Sequence, residues 1–177
     1  MSKVCVLGAG SWGTALASVL VENGHEVLIW ARRQDQVDEI NNKNTNEKYL
    51  PGVKLSESLK ASSRIDQVVG GAEFIVLAVP SQQVRPVCNE IADKIGPDQV
   101  LVNVAKGIEK DTSKRISEVC SEVLPKNPYC MLSGPSHAEE VSKNMPTALV
   151  AASESVDISQ RVQDLFMNEY LRVYTNT

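Results

Sequence analysis

The sequence is poor in the residues that mark several functional classes. Its two histidines and four widely separated cysteines form no CxxC pair and no set of metal ligands, so no metal site is expected. Its longest apolar runs, such as residues 74–79, are far shorter than the ~20 residues that a bilayer span needs, so no membrane insertion is expected. Its 18 lysines and arginines are outnumbered by 22 acidic residues, so a nucleic-acid partner has no electrostatic support.

No targeting segment is apparent either. The opening apolar stretch, Val4–Leu7, is too short for the core of a signal peptide, and glycines follow it at once. Scattered thiols without a disulfide pattern are typical of a reducing compartment, so a cytoplasmic location is expected. The chain stops just past the strand-like run 171–174, and we therefore expect it to be part of a longer protein.

Short apolar runs alternate with amphipathic segments along the 177 residues. Runs that are apolar on both faces predict buried parallel strands, and the segments between them predict helices. The predicted strands are 3–7, 26–31, 73–79, 99–105 and 129–132, and the predicted helices are 11–23, 34–42, 84–95, 112–123 and 136–142. Two more strands, near 147 and 171, should extend one edge. The pattern predicts an α/β fold of Rossmann type, a doubly wound and mostly parallel sheet.

The segment Gly8-Ala9-Gly10-Ser11-Trp12-Gly13 fits the G-x-G-x-x-G pattern. The pattern alone is weak, but here it follows a predicted strand and begins a predicted helix, as a dinucleotide-binding loop requires. Gly8 would allow the tight turn, Gly10 the close approach of a pyrophosphate, and Gly13 the packing of helix on strand. Free N–H groups at Ser11 and Trp12 would hold the phosphates. A purely structural strand-turn-helix is the alternative, and the context favours dinucleotide binding.

The end of the second predicted strand bears on the choice of cofactor. Folds that prefer NAD usually place an acidic residue about 20 residues beyond the glycine loop, where it binds the ribose 2′-hydroxyl. Here that position is Arg32, followed by Arg33. Two guanidinium groups can pair with a 2′-phosphate, so NADP is favoured over NAD. The alternative is that both arginines belong to a solvated loop.

Two further positions follow predicted strands at the sheet edge where ligands bind in such folds. Pro80 would bring the backbone close to a nicotinamide, or it would simply end its strand. Lys106 would point its ammonium group into the same crevice, although a lysine taken by itself is most often an ordinary surface residue.

The link Ser133-Gly134-Pro135-Ser136 joins a strand to a helix. Ser136 and Glu139 fit a capping box, which is a sufficient structural explanation. A helix N-terminus at this edge would also attract an anion. His137 has no carboxylate partner at a useful spacing, so we assign it no role.

Taken together, these motifs resemble bacterial NAD(P)-dependent glycerol-3-phosphate dehydrogenase. The similar segments are GAGSWGTALA (8–17), YLPG (49–52), VPSQ (79–82), KGIE (106–109), SGPSHAEEV (133–141) and RVYTN (172–176), in the same order along the chain. The resemblance implies reversible reduction of dihydroxyacetone phosphate to sn-glycerol 3-phosphate, for phospholipid synthesis. It implies cofactor contacts at Ser11, Trp12, Arg32, Arg33, Tyr49, Lys106 and Ala138, and substrate contacts at Lys106, Gly134 and Ser136.

The resemblance also implies a part that this chain lacks. Members of the family carry their proton-transferring lysine and most phosphate ligands in a second, all-helical domain. Residues 1–177 would therefore be the dinucleotide-binding domain alone, with no catalytic residue of the proton-transfer step and little or no activity. A homodimer is expected of the full-length protein. The competing hypotheses are a related ketopantoate or hydroxyacid-type dehydrogenase, and a dinucleotide sensor without catalysis.

Overall fold

The protein is built around one eight-stranded sheet, and the computed structural model describes every residue from Met1 to Thr177. The strands lie in the order β3-β2-β1-β4-β5-β6-β7-β8, and each neighbouring pair is parallel except β6 and β7. This arrangement confirms the predicted mostly parallel, doubly wound sheet and its extension at one edge. The strands are β1 (Lys3–Leu7), β2 (Glu26–Trp30), β3 (Lys60–Ser62), β4 (Phe74–Leu77), β5 (Val100–Asn103), β6 (Tyr129–Ser133), β7 (Thr147–Ala152) and β8 (Leu171–Asn176).

Helices cover both faces of this sheet. One face packs against α1, α2, α6 and α7, and the other packs against α3, α4 and α5. Because of this double covering, Val4 and Val6 of β1 enter one core while Cys5 and Leu7 enter the other. The helices are α1 (Ser11–Glu22), α2 (Gln34–Lys43), α3 (Ile65–Val69), α4 (Val84–Ile91), α5 (Ile116–Val123), α6 (Ala138–Val141) and α7 (Val156–Phe166), with a 3₁₀ turn at Ser81–Gln83.

Several element boundaries differ from the sequence predictions. The predicted helix 112–123 begins only at Ile116, because Ser113 has a left-handed φ of +56° and Arg115 pairs with Ile108 in an isolated bridge. Helix α4 ends at Ile91 rather than at 95. Strand β3 and helix α3 were not predicted. β3 spans three residues at the sheet edge and buries only Ala61, so it leaves no alternating apolar pattern in the sequence.

The last two strands are covered on one face only. Leu149 of β7 and Val173 of β8 face the core that contains α7. On the opposite face, the side chains of Val150 and Tyr174 are 40% and 60% exposed, and no helix of the chain packs over them. Sheets in α/β proteins normally have both faces covered, whereas this face of β7 and β8 is open to solvent. None of the helices is both long and apolar enough to cross a membrane.

Candidate functional site

A cleft of about 250 Å³ lies at the carboxyl ends of β1, β2 and β4. Since the strand order reverses between β1 and β4, this is the point of a doubly wound sheet where ligands bind. Six of the predicted cofactor residues line it: Gly8, Gly10, Arg32, Arg33, Tyr49 and Pro80. The remaining lining residues are Ala9, Trp30, Ala31, Gln36, Ala78, Val79, Gln83 and Val87.

The glycine loop between β1 and α1 is packed too closely for side chains at two of its positions. Gly8 has a φ of +119°, and a Cβ there would lie 2.8 Å from the carbonyl oxygen of Ala78. A Cβ on Gly13 would lie 2.0 Å from the carbonyl oxygen of Gly8. These two glycines therefore let the loop turn sharply and let α1 approach the ends of the strands.

Gly10 differs, because a Cβ there would meet no protein atom within 4 Å. Gly10 is the N-cap residue of α1, no side chain caps this helix, and its first turn contains no acidic residue. The N–H groups of Ser11 and Trp12 therefore have no capping side chain at the positive end of a helix of 12 residues. This arrangement fits a pyrophosphate group. Ser11, Trp12 and the buried Gly13 form the first turn of α1 and do not themselves line the cleft.

Buried polar side chains hold the glycine loop from behind. Asn46 Nδ2 donates to the carbonyl oxygen of Ala9 at 3.1 Å and to Thr14 Oγ1 at 2.8 Å. Gln36 Nε2 donates to the same carbonyl at 2.5 Å and to Asn46 Oδ1 at 3.2 Å. All three side chains are buried, and Asn46 and Thr14 are fully so. The sequence reasoning missed this cluster, because its members come from α1, α2 and the loop after α2 and form no motif.

Polar and aromatic residues form the outer rim of the cleft. Arg32 and Arg33 are exposed at the end of β2, and Arg33 Nε lies 3.4 Å from a carboxylate oxygen of Asp35. Arg32 forms no ion pair. The ammonium group of Lys48 lies 5.5 Å from the ring centroid of Tyr49, whose side chain is 37% exposed. The rim therefore has one guanidinium group without an ionic partner and one exposed aromatic ring.

The predicted substrate residues meet at the ends of β5 and β6. Lys106 Nζ donates to the carbonyl oxygen of Gly134 at 3.1 Å, and Ser136 Oγ lies 3.4 Å from that same oxygen. Lys106 is exposed, and this hydrogen bond directs its ammonium group towards the link between β6 and α6. A Cβ on Gly134 would lie 2.6 Å from the carbonyl oxygen of Ala148, so β7 passes directly beside this position.

The capping box predicted for Ser136 and Glu139 is wrong. The N-cap residue of α6 is His137, no side chain caps the helix, and the hydroxyl of Ser136 is directed to Gly134 instead. With four residues, α6 is also too short to offer the predicted helix-terminus site for an anion. Ala138 begins α6 and is buried in the core that also contains α1.

Ion pairs join the loop that carries Lys106 to helices α4 and α5. Arg85 Nε and Nη2 donate to the two carboxylate oxygens of Glu109 at 2.7 and 2.9 Å, and Nη2 also donates to Glu122 at 2.7 Å. The hydrogen bonds from Arg85, and then from Thr112, lower the pKa of Glu109 from its ordinary 4.5 to about 2. The sequence analysis assigned no role to Arg85, because its partners lie 24 and 37 residues away.

A larger cleft, about 670 Å³, lies between α5, β6 and the start of α7. Asn103, Arg115, Tyr129 and Ile158 are among its lining residues, and none of the glycine-loop residues is. It adjoins the uncovered face of the sheet rather than the point where the strand order reverses. We therefore assign the functional site to the smaller cleft, where the glycine loop, the arginines and Pro80 converge.

The geometry of a glycine loop at the reversal point agrees with a comparison of the sequence to known families. Residues 3–159 match the family described as the NAD-dependent glycerol-3-phosphate dehydrogenase N-terminus. The chain belongs to this family. The match spans the glycine loop, Lys106 and the Gly134–Ser136 link, so all the predicted site residues lie inside it.

Individual relatives agree with this assignment. The chain is 51% identical to a glycerol-3-phosphate dehydrogenase [NAD(P)+] of Lysinibacillus sphaericus, over 99% of this chain and 53% of that protein. The crystal structure of glycerol-3-phosphate dehydrogenase from Coxiella burnetii superimposes with a TM-score of 0.94 at 34% identity, covering 99% of this chain and 54% of that one. A Plasmodium falciparum glycerol-3-phosphate dehydrogenase gives 0.93 at 28% identity, covering 99% and 52%. The chain thus spans about half the length of these relatives.

Proposed function

We propose that the chain is the cofactor-binding part of an oxidoreductase that interconverts dihydroxyacetone phosphate and sn-glycerol 3-phosphate with NADPH or NADH. The proposal rests on one observation above the others. An uncapped helix N-terminus and an open Gly10 lie at the reversal point of the sheet, in a chain of this family. When bound, the nicotinamide cofactor supplies or accepts the hydride.

Different residues of the cleft would bind different parts of the cofactor. Gly8, Gly10 and Gly13 shape the loop, and the N–H groups of Ser11 and Trp12 bind the pyrophosphate. Arg32 and Arg33 bind the adenosine end with Tyr49 beside them, Pro80 lies towards the nicotinamide end, and Ala138 contacts the cofactor from α6. NADP is favoured over NAD because Arg32 has no carboxylate partner.

Lys106, Gly134 and Ser136 would form the substrate side of the site. The ammonium group of Lys106 would stabilise the negative charge that develops on the ketone oxygen during reduction. Gly134 allows the close approach of β7, and Ser136 offers a hydroxyl beside the same carbonyl. No residue of this chain is assigned the proton transfer, which we attribute to a lysine in the other half of the protein.

We further propose that residues 1–177 form one domain and that a helical substrate domain completes the protein. Relatives of about twice this length support the proposal, and so does the uncovered face of β7 and β8, where Val150 and Tyr174 are exposed. By the resemblance, the complete protein would be a homodimer. All four cysteines are unpaired and buried, which supports a cytoplasmic setting.

A titration tests the cofactor proposal. We would add NADPH or NADH to the chain and follow the fluorescence of Trp30, which lines the cleft, and of Trp12. We expect tighter binding of NADPH, weakened about tenfold by Arg32→Ala through loss of one charge-assisted contact. Arg172→Ala, an exposed arginine on β8, is the matched control.

Each outcome bears on a different part of the proposal. Equal affinity for NADPH and NADH would remove the NADP preference and keep the dehydrogenase. No binding of either cofactor by the full-length protein would overturn the whole proposal. Full-length protein that binds NADPH without reducing dihydroxyacetone phosphate would support a sensor instead. Substantial turnover by residues 1–177 alone would contradict the assignment of proton transfer to the other half.

A further inference from the structure

The segment between β5 and α5 carries Lys106 and is tied down by side chains rather than by secondary structure. Residues 106–115 contain no strand or helix, and a single bridge between Ile108 and Arg115 closes the loop. The side chain of Lys106 is exposed apart from its hydrogen bond to Gly134. A flexible lysine side chain does not fix the position of its own ammonium group. That position therefore depends on where the loop backbone is held.

Gln82 holds this backbone at two points. Its Nε2 donates to the carbonyl oxygen of Ile108 at 2.8 Å, and its Oε1 accepts from the N–H of Lys110 at 2.9 Å. Gln82 follows Pro80 in the 3₁₀ turn after β4, so it connects the edge of the cofactor cleft directly to the loop 106–115 that carries Lys106. An amide that both donates and accepts is needed for this pair of bonds, which a glutamate cannot make.

Arg85 holds the same loop three residues further along the chain. Its bidentate pair with Glu109 joins α4 to the loop, at 2.7 and 2.9 Å, with Arg85 29% and Glu109 14% exposed. Bidentate, charge-assisted pairs of this kind combine strength with a fixed orientation. The low pKa of Glu109, about 2, keeps the carboxylate charged at any neutral or mildly acidic pH.

We propose that Gln82 and the Arg85–Glu109 pair are positioning residues that hold Lys106 beside the cofactor cleft for the reduction step. The inference rests on the proposed function and adds to it the residues through which Lys106 is placed. None of the three needs to touch the substrate. A displacement of about 1 Å at a reacting group can lower a rate by as much as about 100-fold, so the loop position matters for turnover.

The test is a double-mutant cycle on kcat for reduction of dihydroxyacetone phosphate by the full-length protein. We expect Gln82→Ala to lower kcat about tenfold, and Lys106→Ala to lower it further. Because Gln82 would act only through Lys106, the double variant should be no slower than Lys106→Ala alone. NADPH affinity should fall no more in Gln82→Ala than in Lys106→Ala, because Gln82 would reach the cofactor only through Lys106 and the glycine loop is untouched.

Three more variants separate positioning from general stability. Arg85→Ala should lower kcat, and Arg85→Lys should restore part of it, because the charge returns without the bidentate geometry. Arg64→Ala removes an exposed arginine–aspartate pair on another helix and should leave kcat unchanged. Effects of Gln82→Ala and Lys106→Ala that multiply, or variants as fast as the wild type, would overturn this proposal alone. An inactive wild type would instead overturn the proposed function on which it rests.

Discussion

Replacing Asn46 tests whether the buried polar cluster, and not the glycines alone, shapes the cofactor loop. Its side chain makes three hydrogen bonds, to the Ala9 carbonyl, Thr14 Oγ1 and Gln36 Nε2, and is 0% exposed. A typical buried hydrogen bond contributes about 1 kcal/mol net, so Asn46→Ala should lower the free energy of unfolding by about 3 kcal/mol. The Ala9 carbonyl would keep only its bond from Gln36.

The same change should weaken cofactor binding, because the loop must then be ordered when the ligand binds. We expect an increase in Kd for NADPH of about tenfold, which corresponds to about 1.4 kcal/mol of lost preorganisation. Urea unfolding of the chain measures the first effect, and fluorescence titration measures the second. Asn42→Ala, an exposed asparagine on α2 with no side-chain hydrogen bond, is the matched control.

The reasoning fails if Asn46→Ala changes both quantities no more than Asn42→Ala does. A loss of stability below about 1 kcal/mol would mean that water or Gln36 replaces the lost bonds. A large loss of stability with unchanged affinity would mean that the cluster supports the fold but does not shape the loop.

Three further predictions follow from individual residues. Gly13→Ala should cost about 3 kcal/mol or more in unfolding experiments, since its Cβ would lie 2.0 Å from Gly8 O, whereas Gly10→Ala should lower NADPH affinity with a stability loss of about 1 kcal/mol or less. Glu109 has a depressed pKa of about 2, so its contribution to stability is present above its ordinary 4.5 and is lost as pH falls from there towards 2. Melting temperatures between pH 7 and pH 3 should therefore fall less steeply in Glu109→Gln than in the wild type, and parallel curves would contradict this. Val150→Asp should leave the melting temperature of this chain within about 2 °C, because Val150 is exposed here. It should destabilise the full-length protein, in which the proposed second domain would cover this face of the sheet and bury the charge.

Much of the architecture was predictable because its signals are local. Continuous apolar runs such as Phe74–Leu77 are buried on both faces, and such runs are typical of parallel strands covered by two helical layers. Boundaries were less predictable where tertiary contacts compete with local preference. The start of α5 moves to Ile116 because Ser113 is left-handed and Arg115 pairs with Ile108 in a bridge, and Ser136 bonds Gly134 instead of capping α6.

The sequence by itself determined the alternation of strands and helices, the glycine loop and its place after the first strand, since each depends on residues that are neighbours along the chain. Only the tertiary structure decided which polar side chains support the glycine loop and the loop that carries Lys106. Asn46 reaches Ala9 across 37 positions, and Arg85 reaches Glu109 across 24. Hydrogen bonds form only between atoms about 3 Å apart in space. The spacing of two residues along the chain does not predict that distance, because it depends on how the sheet brings the strand ends together.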